Sequence, residues 1–168
     1  MIETLQSFAN VTGIYSFMHS AWGWPVIESL HFIGLSLLLG TVGIYDLRML
    51  GVARGISYSD LQRLVPFGVA GYSLNVLTGT MFVVSAPDQY LYNPAFLTKL
   101  TLMLVAGCNM LGFYWLFSKQ VLGTPPALNI SARGKVVAWV SLSAWTGVII
   151  CGRLITYYRP PYHWCLFC

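Results

Sequence analysis

Four runs of roughly twenty apolar residues leave this chain one solvent in which to fold. A helix needs ~20 mostly apolar residues to cross the hydrocarbon core of a bilayer. The runs cover residues 24–45, 64–86, 94–117 and 136–158. Charged residues make up only 8% of the 168, against about 25% in a soluble domain. Such a chain cannot cover its surface in water. In lipid the backbone must satisfy its own hydrogen bonds, which favours helices for apolar runs of this length. The expectation is an all-α integral membrane protein, a single transmembrane domain over residues 1–168. Every connection is short, so the four helices are expected as an up-down bundle. Pro25, Pro66 and Pro94 fall near the predicted helix starts, where a missing N–H costs little.

Ahead of the first run, Leu5, Phe8, Val11, Ile14, Tyr15 and Met18 recur at helical spacing. This segment reads as a short N-terminal interfacial helix, with an irregular arm as the alternative. It carries Glu3 and no basic residue, and no small-residue cleavage site follows an apolar core, so it does not read as a signal peptide.

The formal net charge of +4 calls for no nucleic-acid partner, because basic residues between spans are topology signals. Arg48, Arg54 and Arg63 follow the first run, and Lys119, Arg133 and Lys135 follow the third. The stretch between the second and third holds only Asp88. Short basic loops stay in the cytoplasm. A multi-pass protein of the bacterial inner membrane, with both termini periplasmic, is the expected arrangement. Trp22, Trp24, Tyr90, Tyr92, Tyr157, Tyr158, Tyr162 and Trp164 would then form an outer aromatic belt.

Small residues mark packing faces. Gly68, Gly71, Asn75 and Gly79 share a stripe of the second run, and Ser141, Ala144, Val148, Cys151 and Gly152 one of the fourth. Such stripes let membrane helices approach closely. Cys108 and Cys151 fall at mid-membrane and read as packing residues.

Ionisable residues at membrane depth are costly and mark function. Glu28 and His31 sit one turn apart in the first run, with Lys99 and Arg153 at similar depth in the third and fourth. Two readings follow: a structural polar network in which Glu28 pairs with Arg153 or Lys99 and which also includes Asp46, Arg48, Asn75 and Asn109, or a site built around His31. Neutral imidazole ligates haem iron, copper or zinc. Met103 or Met81 offers a second ligand in a His–Met haem arrangement, with Lys99 and Arg153 for the propionates. Glu28 and His31 also match half of a carboxylate-bridged di-metal motif, whose second copy is missing. Asp46 and Arg48 read as a helix-end cap and a topology anchor, or as a proton-entry site.

The tail, with His163, Cys165 and Cys168, lacks the order of covalent haem attachment. Copper or zinc capture, an oxidised cysteine pair and a metal-free aromatic tail are its three readings.

Several strings carry a resemblance: Trp24-Pro25-Val26-Ile27-Glu28-Ser29-Leu30-His31, Asp46-Leu47-Arg48-Met49-Leu50-Gly51, Asn93-Pro94-Ala95-Phe96-Leu97-Thr98-Lys99, Ala106-Gly107-Cys108-Asn109 and Gly152-Arg153-Leu154-Ile155. The chain resembles a family of small four-helix bacterial inner-membrane proteins of unknown function, distantly similar to copper-resistance-D-type and b-type cytochrome membrane proteins. The resemblance implies a four-helix fold and a site of Glu28, His31, Lys99 and Arg153. One departure is Tyr114, where the family pattern often has a histidine.

Three functions compete. The first is membrane electron transfer, with haem b bound through His31. The second is a non-catalytic accessory subunit in contact with the lipid bilayer and other membrane subunits. The third is copper handling at the outer face. No Ser–His–Asp set, phosphate loop or catalytic carboxylate pair is visible, so no catalytic activity of its own is expected.

Overall fold

The computed structural model describes residues 2–122 and 131–158, which form eight helices and, among the described residues, no strand. In chain order they are α1 (Ile2–Val11), α2 (Ile14–Met18), α3 (Gly23–Leu50), α4 (Tyr58–Gln62), α5 (Val65–Ser85), α6 (Pro87–Leu91), α7 (Pro94–Leu122) and α8 (Ala132–Leu154). Four stretches are long and apolar enough to cross a membrane, and they coincide with the four apolar runs. Phe32, Leu77, Leu104 and Trp139, one on each long helix, are all more than half exposed. Lipid is the solvent that suits such faces.

Two boundaries differ from the sequence expectation. The first helix continues to Leu50 rather than ending near Tyr45, and stops where Gly51 takes a left-handed conformation at φ 89°. Asp46 and Arg48 are therefore inside the helix and buried, at 5% and 2% exposure. Arg48 is no solvent-facing anchor. Its Nε donates to the Ile56 carbonyl at 2.7 Å, and its guanidinium covers the Tyr58 ring at 4.5 Å. The second boundary lies between the third and fourth runs. There α7 reaches Leu122 and α8 begins at Ala132, so Arg133 and Lys135 occupy a first helical turn. The Ser131 hydroxyl caps that turn by accepting from Gly134 N.

The N-terminal segment is helical but broken. Gly13, at φ 74°, separates α1 from α2. Both pieces pack on α5, and α1 also touches α6.

Between lipid-bathed helices, close packing replaces the hydrophobic effect as the holding force. At the crossing of α3 and α5, Gly34 and Gly71 lie backbone against backbone. A Cβ on Gly71 would stand 2.6 Å from the Gly34 carbonyl oxygen. Further along, Thr41 fills the space over Gly68. Gly34 faces Gly71, and Thr41 faces Gly68, so these helices run antiparallel. Contacts of α7 with α8 run the same way, from Leu102 against Gly147 to Asn109 Nδ2 donating to the Val137 carbonyl at 3.0 Å.

Larger side chains close the two ends. Met49, Tyr58, Leu61, Phe113 and Ala138 cluster at the Asp46 end, and Tyr90, Ala95 and Ile155 at the other. Packing then orders the long helices α5–α3–α8–α7, with α3 and α8 in the middle and at most marginal contact between α5 and α7.

Candidate functional site

The glycine-lined crossing of α3 and α5 sets the position of His31. Its Nδ1 lies 2.7 Å from Oγ1 of Thr78 on α5. That hydroxyl has a single hydrogen, given to the Leu74 carbonyl at 2.7 Å. The Thr78 oxygen is therefore the acceptor toward the ring. In the neutral imidazole Nδ1 then carries the hydrogen and Nε2 keeps its lone pair. Thr78 is 2% exposed, so the bond is shielded from water. The edge of the ring meets Phe82 at 5.7 Å between centroids, and Phe82 leans on Trp24 at 4.9 Å. Gly79 leaves space beside the ring, where a Cβ would stand 3.8 Å from Cε1.

The other members of the constellation divide. Lys99 is half-buried and close enough for its charge to act on His31. It also lies over Gly152, where a Cβ would be 3.6 Å from Nζ. Glu28 and Arg153 are exposed, so the structure does not bring them together as a buried pair. Residues three apart on a helix point about 60° away from one another. That angle turns His31 onto α5 and leaves Glu28 outside. Met81 is half-buried on α5, three residues beyond Thr78. Met103 lines a cavity nearer the other end of the molecule, which His31 does not line.

That cavity, of about 390 Å³, is lined by residues of all four long helices. Its walls are mainly apolar, with Leu38, Met49, Phe113 and Trp145 among them. Asp46, Asn109 and Ser141 supply polar groups. Asp46 stands beside Ser141, and its buried Oδ2 has no hydrogen-bond partner. Asn75 is buried outside the cavity, where its Nδ2 donates to the Gly71 carbonyl at 3.0 Å.

Tyr162, His163, Trp164, Cys165 and Cys168 lie outside the described residues. Among the described residues, no group of three or more His, Cys, Asp or Glu is placed to hold a metal ion.

Sequence reasoning missed two residues. Thr78 is 47 positions from His31, and nothing local marks it as a partner. Asn93 could have been found. It precedes Pro94 at a helix start, as an N-cap does. It is fully buried, and its Oδ1 accepts from Ala95 N at 3.0 Å and Phe96 N at 3.3 Å. Its Nδ2 donates to the carbonyls of Ile155 and Tyr158, each at 3.0 Å. One amide thus ties the start of α7 to the end of α8, at the same end of the molecule as Lys99.

Comparison with family models, with characterised proteins and with solved structures gives no match to this chain.

Proposed function

We propose that this protein is a small subunit of a membrane electron-transfer assembly, and that His31 would be a residue holding the iron of a b-type haem. The observation that carries this reading is the hydrogen bond to Thr78. Metal-ligating histidines characteristically donate their second ring N–H to a fixed acceptor, which sets the tautomer and aims the other nitrogen. The bond from Nδ1 to Thr78 does this for Nε2. A bound haem would supply one-electron chemistry. The chain's own part is to hold the imidazole neutral and oriented, and to place the Lys99 ammonium nearby for a propionate.

Met103 does not line the same space as His31, so it is a poor match for the opposite ligand. Met81, partly buried on α5 three residues beyond Thr78, is the other candidate within this chain, and another chain could supply the ligand instead. The latter arrangement joins the electron-transfer reading to the accessory-subunit reading. The copper reading joins Glu28 and His31 to tail residues outside the described segments, and it has no comparable support among the described residues.

The test is the visible spectrum of the purified, dithionite-reduced protein after expression with ample haem. A b-type α-band is expected, and His31→Ala should abolish it. Thr78→Val should keep the fold while weakening haem retention about 10–100-fold, the usual cost of losing a metal ligand's outer partner. A colourless wild-type protein defeats the haem reading. Co-purification of larger partners would then decide for a purely structural subunit.

The arrangement we propose is an up-down bundle in the bacterial inner membrane, with both termini periplasmic. Arg54 and Arg63 are exposed beyond the Asp46 end of α3, and Arg133 is exposed at the start of α8. Reporter fusions after Gly51 and after Gly123 should therefore read out as cytoplasmic. A periplasmic signal at either position would invert the orientation.

A further inference from the structure

We propose that the cavity around Asp46 is a binding site for a lipophilic amine in its protonated form. It is separate from the His31 site and independent of the haem reading.

A carboxyl group in an apolar cavity is costly without a compensating donor or cation. Asp46 is 5% exposed; the Ser141 side chain bonds its carboxyl group, and Oδ2 is left without a hydrogen-bond partner. Among the described residues, no Lys or Arg lines the space. Arg48, two residues on, turns to the Ile56 carbonyl and the Tyr58 ring. Asn109 gives one N–H of its Nδ2 to the Val137 carbonyl, which leaves it a second N–H and the acceptor Oδ1. Both Asp46 and Asn109 thus present acceptors. The matching ligand is a donor, and a cationic donor matches best. An N–H of an ammonium group would reach the Asp46 carboxyl group, while the apolar body of the ligand lies against Leu38, Phe113 and Trp145.

Size and access agree. About 390 Å³ falls within the ~300–1,000 Å³ range of small-molecule sites. Tyr72 on α5 and Met110 on α7 line the cavity and are also exposed, at 44% and 51%. They flank the gap where α5 and α7 make at most marginal contact. A ligand dissolved in the bilayer could enter sideways through that gap.

The probe is labelled 1-aminoadamantane, titrated onto the full-length protein in phosphatidylcholine nanodiscs, with empty nanodiscs subtracted. The comparison is 1-adamantanol, which has the same apolar body without the charge. Saturable binding is expected for the amine at neutral pH, tighter than for the alcohol by about tenfold or more, as one charge-assisted hydrogen bond provides. Asp46→Asn should erase the preference for the amine. Ala106→Phe, which fills the cavity and keeps the carboxyl group, should abolish binding of both probes. Equal affinity for amine and alcohol on the wild-type protein would overturn the proposal without any variant. So would the absence of a saturable component above empty nanodiscs, or undiminished amine preference in Asp46→Asn.

Discussion

Gly71→Ala is expected to destabilise the protein by about 1–3 kcal/mol, as an overpacked contact does. The added Cβ would meet backbone, 2.6 Å from the Gly34 carbonyl oxygen and 2.8 Å from Leu38 N. No rotamer change relieves that clash, so α3 and α5 must separate. Gly40→Ala on the same α3 is the control, since a Cβ there meets nothing within 4 Å. It should be neutral or stabilising by about 0.5–1 kcal/mol, because alanine loses less backbone entropy than glycine in a helix. Thermal unfolding in detergent measures both. Equal effects at the two positions would mean that the α3–α5 crossing is looser than described. Separation of these helices also lengthens the His31–Thr78 bond, so any haem spectrum should weaken in Gly71→Ala and stay intact in Gly40→Ala.

Asn93→Ala should cost about 2–4 kcal/mol, from a lost N-cap and the loss of both bonds to the carbonyls at the end of α8. The carbonyls of Ile155 and Tyr158 have this amide as a shared donor. Asn93→Asp separates the two parts. It retains an acceptor for Ala95 N and Phe96 N but sets a carboxylate against two carbonyl oxygens. It should be at least as damaging as alanine. An Asn93→Asp protein as stable as the wild type would show that the link to α8 contributes nothing.

Residues differ in how much of this the chain discloses by itself. The four long helices are legible because apolar length is a local property, and so are the glycine stripes, which recur at helical spacing. The end of the first helix is not. Asp46 and Arg48 look like a boundary when polarity is taken to mean exposure, but tertiary contacts bury both. The short helix α4 carries a visible start signal, Ser57 followed three residues later by Asp60. The Ser57 side chain does accept from Asp60 N. The order α5–α3–α8–α7 is not written in any one segment, because it depends on which faces meet. For the same reason the grouping of Glu28 with His31 by turn spacing places them on one side of a helix, yet only His31 reaches a neighbour. His31 itself is legible as a candidate. Its tautomer is not, since Thr78 lies in another span.

The weak seam between α5 and α7 makes the lipid a structural component. In a bilayer, acyl chains would line the part of the wall that α5 and α7 leave open. The space around Asp46 is then bounded partly by molecules that exchange, and its shape follows chain length, unsaturation and lateral pressure as well as sequence. Two membranes of different composition would present the same polypeptide with different sites. Occupancy measured in detergent would describe a third.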